Sequence, residues 1–491
     1  TGILNIHLKC LFIKLCCTMS TSTDPKNQPA FFPLVDLQQK IYPRSVSGRF
    51  AKWRWAMVWL TQIVFYGLPW LSWNGRQAVL FDLDERHFYV FGLVLQPQDF
   101  IYLAALLVLS ALGLFFVTAI AGRVWCGYAC PQTVYTELFL WVERRIEGDR
   151  NARMRLDAQP WGLEKLARKT GKQAAWIGIA LITGFTFVGY FIPIHELVDQ
   201  SLALALSPWA AFWVFFYGLA TYGNAGFLRE QVCRFMCPYA RFQSALIDMD
   251  SMVIAYDAKR GENRGARSRK TDPKTLGLGD CVDCTLCVQV CPTGIDIRNG
   301  LQNECIACAA CIDVCDDVMD KMGYEHGLIR YSSGNGIEKG WSPKQMLRRI
   351  WRSRVLIYAA LLLVLGGAFV WTLAHRVDHS VALSRDRGSL ARIAGNGDVE
   401  NTYILQITNS LERPRDYVVR LSGPEGLALG TSAQLSVGAT GTNGMPLRLV
   451  LPQVWAQHHA GQTLPWHLEV MPMDGDDRQP VSVKSTFLVP K

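Results

Sequence analysis

A chain of 491 residues is too long for one ordinary soluble domain, so two or more structural units are expected. Half of its residues are hydrophobic, only 19% are charged, and the mean hydropathy is +0.12, which is typical of membrane helices joined to polar domains. The net charge of +9 does not indicate a nucleic-acid partner, because the Lys and Arg residues cluster beside apolar segments, as in loops that flank membrane helices.

The first 52 residues are predicted to form an N-terminal cytoplasmic tail. Within it, residues 1–18 are expected to be an upstream misreading, because Thr18-Met19-Ser20 has the form of a natural start followed by a polar stretch. The apolar part of residues 1–18 is too short to cross a membrane and lacks a small-residue cleavage site. We therefore assign no function to the cysteines in this segment, Cys10, Cys16 and Cys17.

Five apolar segments approach the length of about 20 residues that a helix needs to cross a bilayer. They lie at residues 53–73, 100–122, 174–193, 202–223 and 355–374. The alternative, that they are buried helices of a soluble enzyme, is disfavoured by their length. The first four are predicted to form a four-helix membrane domain over residues 53–228, and the last a separate transmembrane helix over residues 354–375. The chain is thus expected to be a multi-pass protein in contact with membrane lipid.

The distribution of basic residues predicts the orientation of these helices. The loop 123–172 is rich in Lys and Arg, whereas the short link 194–201 contains neither. The positive-inside rule then places the N-terminus, this loop and residues 229–353 in the cytoplasm. Residues 376–491 fall on the outer side, which is the periplasm if the cell is a Gram-negative bacterium. Further arginines that support this orientation follow the fourth predicted helix or precede the fifth: Arg229, Arg234, Arg241, Arg348, Arg349, Arg352 and Arg354.

Two of the predicted spans end in the same short motif, CxxxCP, at an offset of 107 residues from Cys126 to Cys233. A CxxxC spacing in a helix puts two thiols on one face, about one turn apart. The proline after it favours extended backbone at the preceding cysteine and the start of a new helix. The repeat therefore predicts a duplicated two-helix unit. Its four thiols could converge near the cytoplasmic surface; they are Cys126, Cys130, Cys233 and Cys237.

Several kinds of chemistry are open to such a group of thiols. Soft thiolates favour Cu(I), zinc or iron–sulfur clusters, and a pair can also cycle between dithiol and disulfide. The alternative is that these cysteines are small apolar residues in a packed core, as free cysteines often are. The same motif at matched positions in both halves favours redox or metal chemistry.

Residues 281–315 contain two copies of one cysteine pattern inside the predicted cytoplasmic domain 229–353. Each copy has the spacing CxxCxxCxxxC, and the first ends in Pro292 where the second has Asp316. In bacterial-type ferredoxins the three closely spaced cysteines bind one [4Fe-4S] cluster and the fourth binds the other. The pattern therefore predicts two clusters. The predicted ligands are Cys281, Cys284, Cys287 and Cys315 for the first cluster, and Cys305, Cys308, Cys311 and Cys291 for the second.

Zinc is the main alternative for these eight cysteines. Zinc sites more often use separated CxxC or CxxH pairs than three evenly spaced cysteines. The pattern therefore favours a protein that carries single electrons through two clusters. Both kinds of site need reduced thiolates, which agrees with a reducing cytoplasm.

Residues 376–491 change in character from apolar helices to short alternating strands. Strands are predicted at residues 402–407, 416–421, 447–451 and 481–488, with turns at Gly423-Pro424 and Gly441. About seven strands in a segment of this length indicate an immunoglobulin-like β-sandwich. The segment has no cysteine and no recognisable catalytic set.

Some cofactors are disfavoured by the sequence. No histidine lies in the middle of a predicted span, so paired axial ligands for a membrane b-type haem are missing, and no CxxCH motif for covalent haem occurs. No Walker A or dinucleotide-binding motif occurs either, so neither ATP-driven transport nor direct oxidation of NAD(P)H is supported.

The order of these features closely resembles the CcoG family, also called FixG or RdxA, which comprises cytochrome c oxidase accessory proteins. The resemblance runs from Met19 to nearly the end of the chain and rests on two CxxxCP spans, the ferredoxin segment 281–315, a fifth span and the β-sandwich. It implies a multi-domain protein of the bacterial inner membrane, with five transmembrane α-helices, a cytoplasmic bacterial-type 2[4Fe-4S] ferredoxin domain and a periplasmic immunoglobulin-like β-sandwich.

The resemblance also implies a role in maturing the cbb3-type cytochrome c oxidase by reducing Cu(II) to Cu(I), with oxidase subunits or copper chaperones as partners. By this analogy the CxxxCP thiols are candidate copper-handling groups. Two other hypotheses remain open: a non-catalytic chaperone or scaffold that docks an oxidase subunit through the β-sandwich, and a quinol-linked electron conduit to another respiratory enzyme. The electron donor is not identified by the sequence.

Overall fold

The computed structural model describes residues 40–270, 276–386, 391–431, 433–473 and 480–491. The segment 1–18 that is predicted to be an upstream misreading lies outside the described residues, as does most of the predicted tail 1–52. Residues 43–491 belong to one structural unit.

The membrane part consists of helices that are interrupted at the two CxxxCP motifs. Two π-helical segments, Tyr222–Leu228 and Val232–Met236, continue the chain between the last two of these helices. Short 3-10 turns occur at Leu68–Trp70 and Pro97–Asp99. The α-helices are α1 (Arg49–Gly67), α2 (Phe100–Ala121), α3 (Val124–Tyr128), α4 (Pro131–Ile146), α5 (Arg150–Ala158), α6 (Leu163–Val188), α7 (Ile194–Leu202), α8 (Pro208–Thr221) and α9 (Pro238–Leu246).

In the described part of the chain, three helices are long and apolar enough to cross a membrane: Pro97–Ala121, which contains α2, then α6, and Ser353–Ala374. They correspond to the second, third and fifth predicted spans. Large apolar side chains on them are exposed, for example Ile101 at 72% and Leu363 at 76%, which is typical of lipid contact. The chain is therefore a membrane protein, while its crossing five times remains a prediction.

The other two predicted spans differ from the helices that form. The first helix runs over residues 49–67 instead of 53–73, and it carries basic residues near its start. It ends before Pro69, which lies in the 3-10 turn that follows. The fourth predicted span contains only the 14 residues of α8 before the π-helical segment begins. Neither helix therefore has the length and apolar composition of the other three.

Two small sheets that the sequence analysis did not predict follow α1. Two short strands, β1 (Ser72–Trp73) and β2 (Arg76–Gln77), pair with each other. The next three form an antiparallel meander in chain order: β3 (Val79–Asp82), β4 (His87–Val90) and β5 (Leu93–Leu95). All five strands lie between α1 and α2 in the chain.

The cysteine-rich domain is built on one antiparallel strand pair, β6 (Val253–Tyr256) and β7 (Ile329–Ser332). Short 3-10 turns lie at Ile297–Asn299 and Arg349–Trp351. Buried apolar side chains from the strands, the loops and the longest helix form its core. The helices of this domain are α10 (Ala258–Gly261), α11 (Leu286–Gln289), α12 (Ala310–Met322), α13 (Gly334–Glu338) and α14 (Pro343–Arg348).

The start of α1 is fixed by this domain. The Asp313 carboxylate, on α12, accepts the backbone N–H groups of Phe50 and Ala51 at 3.1 and 2.7 Å. A carboxylate at a helix N-terminus satisfies donors that have no partner within the helix and interacts favourably with the helix dipole. This contact explains why α1 begins at residue 49, earlier than its apolar segment predicts.

The fifth predicted span is α15 (Ser353–Ala374), which packs antiparallel to α2, as shown by the bond from the Tyr102 hydroxyl to the Thr372 carbonyl. At one end of this pair Arg352 binds Asp248 at 2.6 Å. At the other end Arg376 binds Asp99. A helix of 22 residues is about 33 Å long, so the cysteine-rich domain and the C-terminal domain attach at opposite ends of a membrane-sized helix pair.

The C-terminal domain is a β-sandwich, as predicted. One sheet has the order β12-β14-β10-β8, with β9 also paired to β10, and the other has the order β13-β11-β15-β16. Fully buried side chains from both sheets, such as Tyr403, Leu405 and Trp466, form the core between them. All four predicted strand segments lie within observed strands. The strands are β8 (His379–Arg385), β9 (Arg392–Ile393), β10 (Val399–Asn409), β11 (Arg415–Ser422), β12 (Ala428–Leu429), β13 (Gln434–Val437), β14 (Thr442–Leu451), β15 (Thr463–Pro472) and β16 (Val481–Leu488), with one short helix, α16 (Gln453–His458).

Candidate functional site

The eight cysteines of the ferredoxin motif surround two cavities. The first cavity, of about 380 Å³, is otherwise lined mainly by apolar side chains, and its cysteines are Cys281, Cys284, Cys287 and Cys315. The second cavity, of about 340 Å³, is lined by Cys291, Cys305, Cys308 and Cys311, and also by Cys287. The structure thus brings together the two sets of four that the spacing predicts, with one thiol on the wall between them.

The two motif copies have the same unusual backbone. Asp283 and Thr285 in the first copy have φ of 50° and 56°, and Ala307 and Ala309 in the second have φ of 55° and 60°. These positions correspond at an offset of 24 residues, which is the offset between Cys281 and Cys305. Left-handed backbone is costly at residues other than glycine and is concentrated at functional sites. The same loop is therefore built twice, each time wrapped around one cavity.

Burial determines the protonation of these thiols. It raises the pKa of Cys287 to about 11 and the pKa values of Cys305 and Cys315 to about 12. These three thiols are therefore protonated at neutral pH, and each must lose a proton when it becomes a metal ligand. Cluster loading is expected to be favoured as the pH rises.

The arrangement fits cubic clusters better than zinc. In the described residues, no three His, Cys, Asp or Glu side chains are close enough together to hold one metal ion. Four ligands of a single zinc ion would meet at one point, whereas the ligands of a [4Fe-4S] cluster bind different irons around a larger body. Two quartets of thiols around apolar cavities therefore fit two [4Fe-4S] clusters, which when bound supply transfer of single electrons.

The CxxxCP motifs end their helices as the prolines predict. Helix α4 starts at Pro131 and α9 at Pro238. The cysteine before each proline has extended backbone, with φ −61° and ψ 128° at Cys130 and φ −79° and ψ 110° at Cys237. The proline therefore opens the second helix of each repeat.

One expectation about these motifs requires correction. The thiols were expected one α-helical turn apart, but each motif is closed by a wider bond. The Cys130 N–H donates to the Trp125 carbonyl at 3.0 Å, and the Cys237 N–H donates to the Val232 carbonyl at 2.8 Å. Both bonds join residues five apart, the π-helical pattern, and they recur at the 107-residue offset. Extended backbone at the last cysteine cannot complete an α-helical turn.

The four thiols of the two motifs are grouped together. Each of the six pairs among them is close enough for an electrostatic interaction between the sulfur atoms. The Cys126 thiol donates a hydrogen bond to the Gln243 Oε1 atom of α9 at 3.3 Å, which links the first motif to the second repeat. All four side chains are partly buried. The convergence that the repeat suggested is therefore present in the structure.

Contacts between the repeats hold the two motifs side by side. The Gln132 amide, one residue after Pro131, donates to the carbonyls of Asn224 and Arg229 at 2.9 and 3.1 Å. The Arg229 guanidinium donates in turn to Glu143 of α4 at 2.8 Å. The first motif and the helix that follows it are thus tied to the segment that leads into the second motif.

Glu143 is the centre of a buried ionic network. Its carboxylate is 1% exposed and lies 2.7 Å from Arg153, 2.8 Å from Arg229 and 3.8 Å from Lys172. Burial alone would raise the pKa of this carboxyl, but the three cations hold it below its usual value. Arg153, one of the basic loop residues that supported the predicted orientation, is therefore buried and paired.

The first CxxxCP turn packs directly on the second cysteine quartet. A Cβ atom at Gly127 would lie 2.7 Å from the Ile306 carbonyl oxygen and 2.9 Å from Ala307, so only glycine allows this approach. Cys126 packs against the apolar cluster that contains Ile306 and Cys308. The thiol group and the second predicted cluster are therefore neighbours.

Two further side chains support the loop that carries Cys308. The Arg54 Nη1 atom donates to the Cys308 carbonyl at 2.9 Å, and the Tyr331 hydroxyl donates to the Ala307 carbonyl at 2.7 Å. A cavity of about 760 Å³ is lined by both Cys233 and Cys308, so it also borders both sites. Arg54 is 8% exposed although it lies on an apolar helix.

Sequence reasoning did not identify several of these residues. The sequence could have pointed to Arg54, because an arginine within a predicted membrane span must have a partner. Nothing in the sequence points to Asp313, Gln243 or Tyr331. Their partners lie far away in the sequence, and only the folded chain brings them together.

Comparisons with known families and proteins agree with this organisation. Residues 228–334 match the model of a 4Fe-4S dicluster domain, and residues 103–148 match that of a 4Fe-4S binding domain. Residues 369–490 match a model described as an IG-like fold at the C-terminus of FixG.

Proteins similar to most of the chain are also known. The nitrogen fixation protein FixG of Rhizobium meliloti is 38% identical over 455 residues, which cover 85% of this chain and 87% of that protein. Protein RdxA of Cereibacter sphaeroides is 41% identical, covering 86% of this chain and 91% of that protein, and RdxB of the same organism is 40% identical over 83% and 86%. Among solved structures, the crystal structure of a FixG-related protein from Vibrio parahaemolyticus is 19% identical, covers 23% of this chain and 96% of that chain, and has a TM-score of 0.20.

Proposed function

This chain belongs to the FixG/RdxA family of iron–sulfur redox proteins, and we propose that it is a cupric reductase that converts Cu(II) to Cu(I) for the maturation of a cbb3-type cytochrome c oxidase. The observation that carries the proposal is the direct packing of Cys126 on the loop of Cys308. It places a group of four soft ligands next to a predicted electron-carrying centre.

The thiol chemistry supports copper as the substrate. Reduction of Cu(II) takes one electron, and the [4Fe-4S] centres that Cys281–Cys315 would hold supply electrons singly. Soft thiolates bind Cu(I) better than Cu(II), so reduction and capture at the CxxxCP thiols would favour each other.

The proposed location is the bacterial inner membrane, with the clusters in the cytoplasm and the β-sandwich in the periplasm. In support, the two domains attach at opposite ends of the α2–α15 helix pair. The β-sandwich is also fixed to the membrane part, because the Arg76 and Asn74 side chains both bind Glu412. Oxidase subunits or copper chaperones are the proposed partners of this outer domain.

The test uses the full-length protein, purified without oxygen, reduced with dithionite, freed of excess reductant and mixed with Cu(II) and a Cu(I)-specific chelator. We expect the rate of Cu(I) formation to fall to less than half when Cys126 or Cys233 is replaced by serine, because serine oxygen is a poor ligand for Cu(I). The iron content should stay at the wild-type level in both variants.

Met236→Leu is the matched control, since it removes an exposed sulfur atom that lies next to the thiol group in sequence. Its rate should equal that of the wild type. If the serine variants reduce Cu(II) as fast as this control does, the thiols have no part in the reaction and the proposal fails.

A further inference from the structure

A cavity lies between helices α1, α4, α6 and α8 of the membrane part. Its walls are mainly aromatic and apolar, with a few hydroxyl and amide groups, and none of the residues that line it is charged. Concave, mostly apolar pockets with a few polar groups are typical sites for small organic ligands. The lining residues that the argument uses are Gln62, Phe65, Tyr135, Thr183, Phe187 and Tyr217.

One polar atom in the lining has no hydrogen-bond partner among the residues that the structure describes. The Oε1 atom of Gln62 is buried without a hydrogen bond, and the residue is only 9% exposed. A buried acceptor without a donor is unfavourable and requires an explanation, such as a bound ligand that donates to it.

Hydroxyl groups surround this amide. The Tyr66 and Thr183 hydroxyls are 2.8 Å apart, and the Tyr135 side chain interacts with both of them and with Gln62. Gln62, Tyr135 and Thr183 thus form one connected polar group in the lining, and the aromatic rings of Phe65 and Phe187 also line the cavity. A ligand with a flat ring and an O–H group fits this combination.

The surroundings indicate where such a ligand comes from. On α6, which is long and apolar enough to cross a membrane, Ile182 is 58% exposed, and on α8, which packs against α6, Leu219 is 70% exposed. Apolar side chains that are exposed to this degree on membrane helices face lipid. The helices that border the cavity thus adjoin the lipid phase.

The cavity also adjoins the thiol group. Ala129 and Pro131, the neighbours of Cys130 in the chain, line it. On the other side of the same turn, Cys126 packs against the loop of Cys308. A ligand in the cavity therefore lies beside the motif that leads to the second cysteine quartet.

We propose that this cavity binds the head group of a membrane quinol and is the place where electrons enter the protein. The Gln62 carbonyl accepts a quinol O–H group, and the aromatic rings pack against the quinol ring. Oxidation of one quinol to quinone releases two electrons and two protons. Iron–sulfur centres held by Cys281–Cys315 would take up these electrons one at a time, and the protons pass to water. This inference rests on the proposed function in one respect only, namely that the electrons go on to reduce Cu(II).

The test measures the binding of decylubiquinol by its effect on the thermal unfolding of the full-length protein in lipid nanodiscs, with decanol as the control for the alkyl chain. Decylubiquinol should raise the unfolding temperature, and decanol should not. Gln62→Leu should abolish the shift. Without ligand this variant should unfold near the wild-type temperature, because it loses the contact with Tyr135 but also removes a buried unpaired carbonyl.

The matched control is Gln173→Leu, which changes a glutamine that accepts a bond from the Tyr222 hydroxyl at 2.8 Å and does not line the cavity. It should keep the decylubiquinol shift. Equal shifts with decylubiquinol and decanol would identify a lipid pocket, and a shift that persists in Gln62→Leu would place the quinol elsewhere; either result overturns the inference.

The failure of this inference can be distinguished from that of the proposed function. Gln62→Leu should retain its iron and should reduce Cu(II) at the wild-type rate when dithionite is the reductant. If copper reduction is absent while quinol binding depends on Gln62, only the cupric reductase proposal fails. If copper reduction is normal and no quinol binds, only the quinol site fails.

Discussion

Replacing Cys308 with serine should leave the protein with about half of its iron and should abolish the reduction of Cu(II) by the dithionite-reduced protein. Cys308 lines the second cysteine cavity and lies in the apolar cluster on which Cys126 packs. Its loss should prevent the second site from holding a cluster, and the site next to the thiols would then have no electron to give. The iron content and the rate of Cu(I) formation are the two measurements.

Cys284→Ser is the matched control because it alters the other quartet. Cys284 lines the first cavity only, and it is the exposed cysteine of that set. This variant should also lose about half of its iron, yet dithionite can still reduce the second site directly, so copper reduction should continue. The reverse pattern, with activity retained by Cys308→Ser and lost by Cys284→Ser, would contradict the proposed order of the centres.

Replacing Gly127 with alanine should separate the thiol turn from the second quartet. The added methyl group would lie 2.7 Å from the Ile306 carbonyl oxygen and 2.9 Å from Ala307, and backbone atoms cannot move aside as a flexible side chain can. Overpacking of this kind costs about 1–3 kcal/mol in the free energy of unfolding. We expect a stability loss in that range, measured by thermal unfolding, together with a large decrease in the rate of copper reduction.

Gly178→Ala provides the comparison on a membrane helix. Gly178 lies within α6, and a Cβ atom there would have no atom within 4 Å. Alanine should stabilise that helix by about 0.5–1 kcal/mol and leave copper reduction unchanged. If Gly127→Ala behaves like Gly178→Ala, the close approach of the thiol turn to the second cysteine quartet has no role in stability or in copper reduction.

The local features of the fold could be predicted from the sequence because they depend on nearby residues. The spacing of Cys281 to Cys315 fixes which thiols can share a cavity, and the structure groups them in the same two sets. Pro131 and Pro238 end one helix and begin the next because proline restricts both its own backbone and that of the residue before it. Alternating apolar residues likewise predicted strands in the C-terminal domain, since one face of each strand is buried.

Features that depend on distant parts of the chain could not be predicted. The apolar segment of α1 does not show that Asp313 accepts N–H groups at its start, because that residue lies 262 positions from Ala51. The CxxxC spacing alone suggests an α-helical turn, and the wider bond at Cys237 becomes apparent only in the folded backbone. The position of Cys126 against the loop of Cys308 likewise follows from packing between two domains.

The most direct test of the central claim is a combined measurement of iron, acid-labile sulfide and low-temperature EPR on the full-length protein purified without oxygen. Two cysteine quartets that hold cubic clusters should give about eight irons and about eight sulfides per chain, and reduction should produce the signals of two interacting [4Fe-4S] centres. A colourless, iron-poor preparation, or one that contains zinc in place of iron, would contradict the account.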